Sequence, residues 1–295
     1  MSTPQHPAHD EIRKAVIPAA GLGTRLRPLT NAFPKELLPV GRLPVLAHIA
    51  DELIGAGISD ALFIVSDRKP QIRSYFGDRY DAAWAGATLR CSYVTQRRQQ
   101  GLGDALLYAE DWTAGEPFAV AFGDCMIDAP EPAAPLRRLL RAHRRAGAAV
   151  LTEAVRPKEV SRYGVLAPAR DADVSSGLAF RVADIVEKPP PAEAPSRMVV
   201  AARWVLDTAI FGHLRASRPD ARGELSLTEA VRGLIAGGAE CWAAPLLEGE
   251  ARRDIGNFES FFTSFVRAAL RDAEFGASVR RVAAEEMARP PSRSH

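Results

Sequence analysis

The chain has 295 residues, 47% of them apolar, 25% charged and 7% aromatic, values of an ordinary globular protein that argue against disordered, collagen-like or membrane-embedded readings. Lys+Arg against Asp+Glu is 38 − 36 = +2, so no long-range field gathers nucleic acid or an acidic membrane, and any anion site must be local. Cys91, Cys125 and Cys241 are odd in number, widely spaced and without a CxxC pair, which argues against a disulfide framework or structural zinc and suits a reducing cytoplasm.

Residues 1–12 lack the basic start and apolar run of a signal peptide and are expected to be a disordered tail, as are residues 289–295. No stretch reaches the roughly 20 uninterrupted apolar residues that span a bilayer as a helix. Residues 14–18 (KAVIP) read as a first buried strand. A helix over 44–56 follows, with Val45, Leu46, Ile49, Leu53 and Ile54 at helical spacing and Gly55 and Gly57 as its stop. The alternation continues with a strand at 61–65, a helix at 71–76, a strand at 89–94, a helix over 104–112, a strand at 118–122, a basic helix over 136–146 and a strand at 148–154. Such a rhythm predicts parallel strands joined by crossover helices. Beyond it the spacing turns irregular, with strands at 163–167, 180–186, 198–206 and 241–246 and helices at 208–214 and 227–235. The expected organisation is one α/β domain over 13–262, a doubly wound mixed sheet divided into a nucleotide-binding half (about 13–155) and a pocket-completing half (about 156–262). A helical C-terminus from Phe258 to about Met287, of which 263–288 forms a segment beyond the domain, carries Phe258, Phe261, Phe262 and Phe265 on a broadly shared face expected to pack on the sheet.

The most informative segment is AAGLGTRLRPLTNAFPKELLP, residues 19–39, directly after the first strand, where open α/β sheets bind ligands. Gly21 and Gly23 let the backbone approach a phosphate, and Arg25 and Lys35 bring two cations to the same loop. That combination suits a nucleoside triphosphate whose leaving pyrophosphate needs charge neutralisation. A dinucleotide fingerprint fails because Leu26 stands at its third glycine, and Leu26-Arg27 exclude the GxxxxGK[ST] loop.

Gly21-Leu22-Gly23-Thr24-Arg25 followed by Pro34-Lys35-Glu36-Leu37-Leu38-Pro39 resembles the signature of sugar-1-phosphate nucleotidyltransferases, and its Pro-Lys-Glu form resembles bacterial UTP–glucose-1-phosphate uridylyltransferases most closely. Further matches occur in the family's order: Gln96 with Gly101-Leu102-Gly103, Gly123-Asp124, Tyr163-Gly164-Val165, Glu187-Lys188-Pro189, Gly223 to Thr228, and Asp254-Ile255-Gly256-Asn257. The resemblance implies a Rossmann-like nucleotidyltransferase fold. It implies transfer of a nucleotidyl group from UTP to glucose 1-phosphate, giving UDP-glucose and pyrophosphate. By the same resemblance Ala20, Gly21, Leu22, Gly23, Thr24, Gln96 and Gly101 bind the nucleotide, and Arg25, Lys35 and Lys188 carry the reaction. Gly164, Glu187 and Lys188 take the sugar phosphate, Asp124 and Asp254 hold Mg²⁺, and the assembly is a homodimer or homotetramer.

Read as residues, Asp124 ends the strand FAVAF, where a hard oxygen ligand can face a triphosphate, and Asp254 is placed in a similar setting after the run 242–246. Two carboxylates around an empty site repel each other, so neutralising either is expected to be neutral or slightly stabilising. Gln96 can hydrogen-bond a pyrimidine edge. Pro189 is expected to hold Lys188 extended, with its side chain pointing away from Glu187. Asp104, Cys125 and the stretch Ala202-Arg203-Trp204 depart from the family's usual residues, which leaves open dTTP or another nucleotide, a modified sugar 1-phosphate, or a silent binding homologue.

Overall fold

The computed structural model describes residues 12–82, 86–143 and 147–289. The tails expected at 1–12 and 289–295 lie outside the described residues except for residues 12 and 289, and so do 144–146 at the end of the basic helix. In chain order the elements are β1 (Lys14–Pro18), β2 (Pro39–Val40), β3 (Leu43–Pro44), α1 (Val45–Gly55), β4 (Asp60–Val65), α2 (Pro70–Phe76), β5 (Arg79–Asp81) and β6 (Thr88–Thr95). Next come α3 (Leu102–Leu107), α4 (Glu110–Thr113), β7 (Phe118–Ala121), β8 (Cys125–Asp128), α5 (Ala134–His143), β9 (Ala148–Ala154), β10 (Gly164–Pro168), β11 (Phe180–Glu187) and β12 (Met198–Leu206). The chain closes with α6 (Ile210–Ala216), α7 (Leu227–Ala236), β13 (Cys241–Pro245), β14 (Ala251–Asp254), α8 (Phe258–Arg271) and α9 (Gly276–Ala288).

Ten strands form one mixed sheet in the order β10-β11-β13-β9-β12-β7-β1-β4-β6-β5. β7, β1, β4 and β6 run parallel, and their spatial order reverses at β1, between its neighbours β4 and β7. That reversal is the switch point at which doubly wound sheets open a crevice, so the loop after β1 and the turn after β7 are brought side by side. After Lys14, β1 is apolar because helices cover both faces: Ala15 and Ile17 enter one core while Val16 enters the other. The two main cores are the two faces of this one sheet. β12, antiparallel to both β7 and β9, carries the sheet unbroken from the first half of the chain into the second.

Three expectations are corrected. The helix expected over 104–112 begins at Leu102 and breaks into α3 and α4, because the amides of Tyr108 and Ala109 bond back only three residues, to Ala105 and Leu106, and tighten the turn. Asp254 does not follow β13 directly; it ends β14, which pairs with β8 in a separate two-stranded sheet with Asp254 opposite Cys125. The C-terminal phenylalanines join the core of the main sheet only in part: α8 lies over β2 and β14, Phe261 is buried in the apolar cluster on one face of the sheet and Phe258 packs against it, while Phe262 is 56% exposed. The helical segment is also two helices, since the Asp272 carboxylate accepts from the amides of Glu274 and Phe275 and is held by Arg42 at 2.7 Å.

Ala202 is in the left-handed region, with φ +59°, at the register shift of β12 between Val200 and Trp204. An alanine there costs about 1–2 kcal/mol, of which a glycine's extra unfolded freedom would take back about 0.4–1. Ala202→Gly is therefore expected to stabilise the protein by up to about 1 kcal/mol, read as a raised denaturant midpoint; a lowered midpoint would refute the strain.

Candidate active site

The crevice is built from three strand ends. After β1 the chain cannot continue as strand: Ala19 still bonds to Ile64, then the glycines turn it and a short 3₁₀ turn over Lys35–Leu37 leads it into β2, which pairs with β3 apart from the main sheet. Lys35 lies across Gly21, its Nζ 3.8 Å from where a Cβ would stand, and pairs with the Asp124 carboxylate. Burial works against the Lys35 ammonium, but Asp124 and Glu36 outweigh it and hold the pKa above the usual lysine range. Asp124 is likewise held below the usual carboxylate range, Lys35 prevailing over desolvation.

Gly123, just before it, runs so close to β1 that a Cβ would lie 2.9 Å from the Pro18 carbonyl oxygen, and only glycine lets the Asp124 turn sit against the loop after β1. Asp254 arrives from the other side on β14. Its Oδ1 accepts from the Gly256 amide at 2.5 Å, and the Ile255 amide bonds to the Asp124 carbonyl oxygen at 3.2 Å. Desolvation, followed by the negative charge of Asp124, pushes the Asp254 carboxyl up. Arg25 reaches the same turn: its Nη2 is 3.6 Å from the Cβ position of Gly256.

Asp124 and Asp254 open on a cavity of about 760 Å³ that is also lined by Gly164, Glu187 and Lys188. The structure thus brings together both predicted carboxylates and all three predicted sugar-phosphate residues. Ala20, Gly21, Gly23, Thr24, Gln96 and Gly101 do not line this cavity; Leu22 and Lys35 line a smaller cleft of about 220 Å³ with Arg27, Arg68 and Lys69. Lys35, bonded to Asp124, connects the two.

Gln96 is 4% exposed, and its amide nitrogen donates to Asp104 Oδ2 at 2.7 Å. A carboxylate can only accept, so Asp104 fixes the amide orientation and leaves Gln96 Oε1 as the atom to receive a ligand N–H. Gly101, with φ +97°, is pressed against Leu225, whose backbone oxygen would be 2.7 Å from any Cβ. The loop before α3 is thereby locked onto the segment 223–228.

The expectation for Lys188 is corrected. It turns left-handed, with φ +45°, while its amide still bonds the Tyr163 carbonyl oxygen in the register of the β10–β11 pairing, and its Nζ comes back to Glu187 Oε1 at 2.9 Å. The two side chains therefore pair instead of diverging. Glu187 Oε2 accepts from Thr228 Oγ1 at 2.7 Å, which fixes the carboxylate beside Gly164.

Several residues of the site carry no sequence-level assignment. Glu36 is 1% exposed and accepts from Lys69 Nζ at 2.8 and 2.7 Å, and Lys69 also donates to the Ala19 carbonyl oxygen at 2.8 Å, bracing the loop after β1 from beneath. Arg203 is fully buried, paired with Glu52 on α1 at 2.6 Å, and donates to the Cys125 carbonyl oxygen next to Asp124 at 3.0 Å. Glu36 sits inside the PKELLP signature, where it reads as a motif member without a task, and Lys69 and Glu52 have no local signal at all.

The donor set fits a hard divalent cation. Two carboxylates line one cavity, and one of them is paired with an ammonium. Among the described residues no group of three or more His, Cys, Asp or Glu offers an all-protein cage. An ion that keeps its waters and takes phosphate oxygens suits such a pair.

The family model described as Nucleotidyl transferase matches residues 14–269. The chain is 38% identical over 265 residues to a UTP–glucose-1-phosphate uridylyltransferase, YngB, of Bacillus subtilis, covering 84% of this chain and 86% of the relative. It is similar in structure to a UTP-bound UGPase from Acinetobacter baumannii, with a TM-score of 0.80 at 25% identity over 93% of this chain and 99% of the other. It is also similar to a UDP-glucose pyrophosphorylase complexed with UDP-glucose, with a TM-score of 0.77 at 28% identity over 86% of this chain and 97% of the other.

Proposed function

We infer the reaction from the family, for this chain belongs to the nucleotidyl transferases and is an enzyme of that family. The reading that fits its site best is uridylyl transfer from UTP to glucose 1-phosphate, giving UDP-glucose and pyrophosphate. One observation carries it: a single cavity joins Asp124 and Asp254 to Gly164, Glu187 and Lys188, while Lys35 on Asp124 links it to the glycine loop. The relatives' names add UTP and glucose 1-phosphate as substrates, and Gln96 Oε1 suits the N3–H of a uracil.

The sugar phosphate is already an anionic nucleophile, so no general base is required and positioning with charge stabilisation does the work. A phosphate oxygen of the acceptor bonds to the α-phosphorus of UTP as the bond to the bridging oxygen breaks, and pyrophosphate leaves with that electron pair. Lys35 and Arg25 would face the triphosphate, Lys188 the acceptor phosphate, and Glu187, oriented by Thr228, the sugar hydroxyls. Asp124 and Asp254 would hold Mg²⁺, which when bound supplies counter-charge to phosphate oxygens. Release of Lys188 from Glu187 as both meet substrate would cost little, since the pair is half-exposed.

Pyrophosphate release from a matrix of UTP, dTTP, ATP and GTP against several sugar 1-phosphates tests this. UTP with glucose 1-phosphate is expected to give the highest kcat/KM. A higher value with dTTP or another sugar overturns the substrate, and no release from any pair overturns the enzyme. We further propose a homodimer or homotetramer, because α8 and α9 leave Phe262, Phe265, Val266, Phe275 and Val282 exposed. Sedimentation as a 31.9 kDa species alone would refute it. No described helix is long and apolar enough to cross a membrane. The three cysteines are free and buried, which supports the cytoplasm as the compartment, to be checked by fractionation.

A further inference from the structure

Among the cations that line the large cavity, Arg252 has no place in the reaction described above. It sits on β14 two residues before Asp254, so the two side chains leave the strand on one face, while Arg253 goes to the other and pairs with Asp128 at 3.2 Å. Both Arg252 and Asp254 line the cavity, together with Lys188. Arg252 is held from two sides: its Nε donates to Glu153 Oε1 at 2.5 Å, and its guanidinium lies 4.1 Å from the centre of the Tyr163 ring.

Those two contacts fix the plane of the guanidinium and use its Nε edge. Glu153 does not line the cavity, so the neutralising carboxylate stands behind the arginine, away from the ligand space. The side chain is 11% exposed against 47% for Lys188, and Lys188 is already engaged by Glu187. A cation in the drier position exerts the stronger field on a phosphate, and a planar fork held in advance loses little freedom when it binds one.

We propose that Arg252 is a second cation of the acceptor subsite, donating from its Nη groups to the phosphate of the sugar 1-phosphate alongside Lys188. The proposal rests on reading the cavity as the acceptor site. It makes Tyr163 and Glu153 positioning residues, one supplying a face and the other a fixed acceptor. It also gives β14 a second task beside Asp254, to present a cation and a metal-binding carboxylate on one face at one strand spacing.

The test uses the full chain with UTP and glucose 1-phosphate, and inorganic phosphate as the competitor. Losing a charge-assisted bond to a phosphate weakens binding by about 10- to 100-fold. Arg252→Gln is therefore expected to raise KM for glucose 1-phosphate and the inhibition constant of phosphate together by such a factor, with KM for UTP within about twofold. Arg252→Lys, which keeps the charge but not the fork, should recover part of the loss, and it serves alone if the Gln variant fails to fold. Added guanidinium ion should restore acceptor binding to Arg252→Ala. An arginine that only supports the wall predicts the opposite: KM for both substrates rising together, phosphate inhibition unchanged and no rescue. Calorimetric binding of glucose 1-phosphate needs no turnover, so weaker binding to Arg252→Gln supports the subsite even if the wild type releases no pyrophosphate. Unchanged binding to the variant beside an active wild type overturns Arg252 and leaves the reaction standing.

Discussion

Asp124→Asn and Asp254→Asn should each lower turnover by about 10²-fold or more, yet move the melting temperature of the metal-free protein in opposite directions. The loss of turnover is common to both, since each would remove half of the proposed two-carboxylate site, which must compete with the hydration shell of Mg²⁺. Stability separates them because Lys35 sits on Asp124 and not on Asp254. Desolvation opposes the charge of Asp124, but Lys35 prevails and its pKa is lowered, so its ionised form is stabilising above the unfolded value near 3.9 and that contribution is lost as pH falls through the folded one. Asparagine gives up the contribution at neutral pH and leaves a buried ammonium short of its partner, a cost of about 1–3 kcal/mol.

For Asp254 the sign reverses. Desolvation and Asp124 raise its pKa, so the folded state favours the protonated form; that stability is complete below the unfolded value and disappears as pH rises through the folded one. At neutral pH the charged carboxylate is a liability without metal, and Asp254→Asn should melt slightly above the wild type, the gap closing as pH falls toward 4. Melts with and without Mg²⁺, paired with a Mg²⁺ titration of turnover, decide the matter. Equal shifts of the same sign would remove the Lys35 argument, and full activity of either variant at limiting Mg²⁺ would take that aspartate out of the metal site.

The expectation formed from sequence, that neutralising either aspartate is neutral or stabilising, treats the two as an isolated repelling pair. The geometry keeps that expectation for Asp254 and reverses it for Asp124, for a reason that sequence spacing does not carry: Lys35 and Asp124 are 89 residues apart. What is legible is what local rules write. Strand ends followed by glycine, as at Pro18 and Ala121, mark the crevice because parallel strands must end there and glycines must let backbone pass. β2, β3, β8 and β14 are two to four residues long, too short for any periodicity to show, although β14 delivers Asp254. Lys188 escapes local rules as well, since it turns left-handed just where the β10–β11 pairing ends, before Pro189.

Arg203→Met should be the most destabilising single change argued from this structure, by about 3–5 kcal/mol, with a fall in Tm of about 10 °C for a chain of this size. Arg203 is fully buried, and its two nitrogens on Glu52 Oε1 and Oε2 stand at 2.9 and 2.6 Å. Methionine fills similar volume but leaves Glu52, 2% exposed, as an unpaired charge on α1. Desolvation works against the guanidinium, but Glu52 outweighs it and keeps Arg203 more firmly protonated than usual. Replacing both partners, Glu52→Leu with Arg203→Met, removes the stranded charge and should return most of the stability, because a buried pair is often no better than well-packed apolar groups. Turnover should not return with it. Arg203 Nη1 also holds the Cys125 carbonyl oxygen at 3.0 Å, and Cys125 is the residue after Asp124, so the double variant keeps a folded sheet around an aspartate whose turn has lost its anchor. A double variant with restored stability and restored turnover would show that the Asp124 turn stands without Arg203, and a single variant costing under about 1 kcal/mol would show that Glu52 finds another partner or a proton.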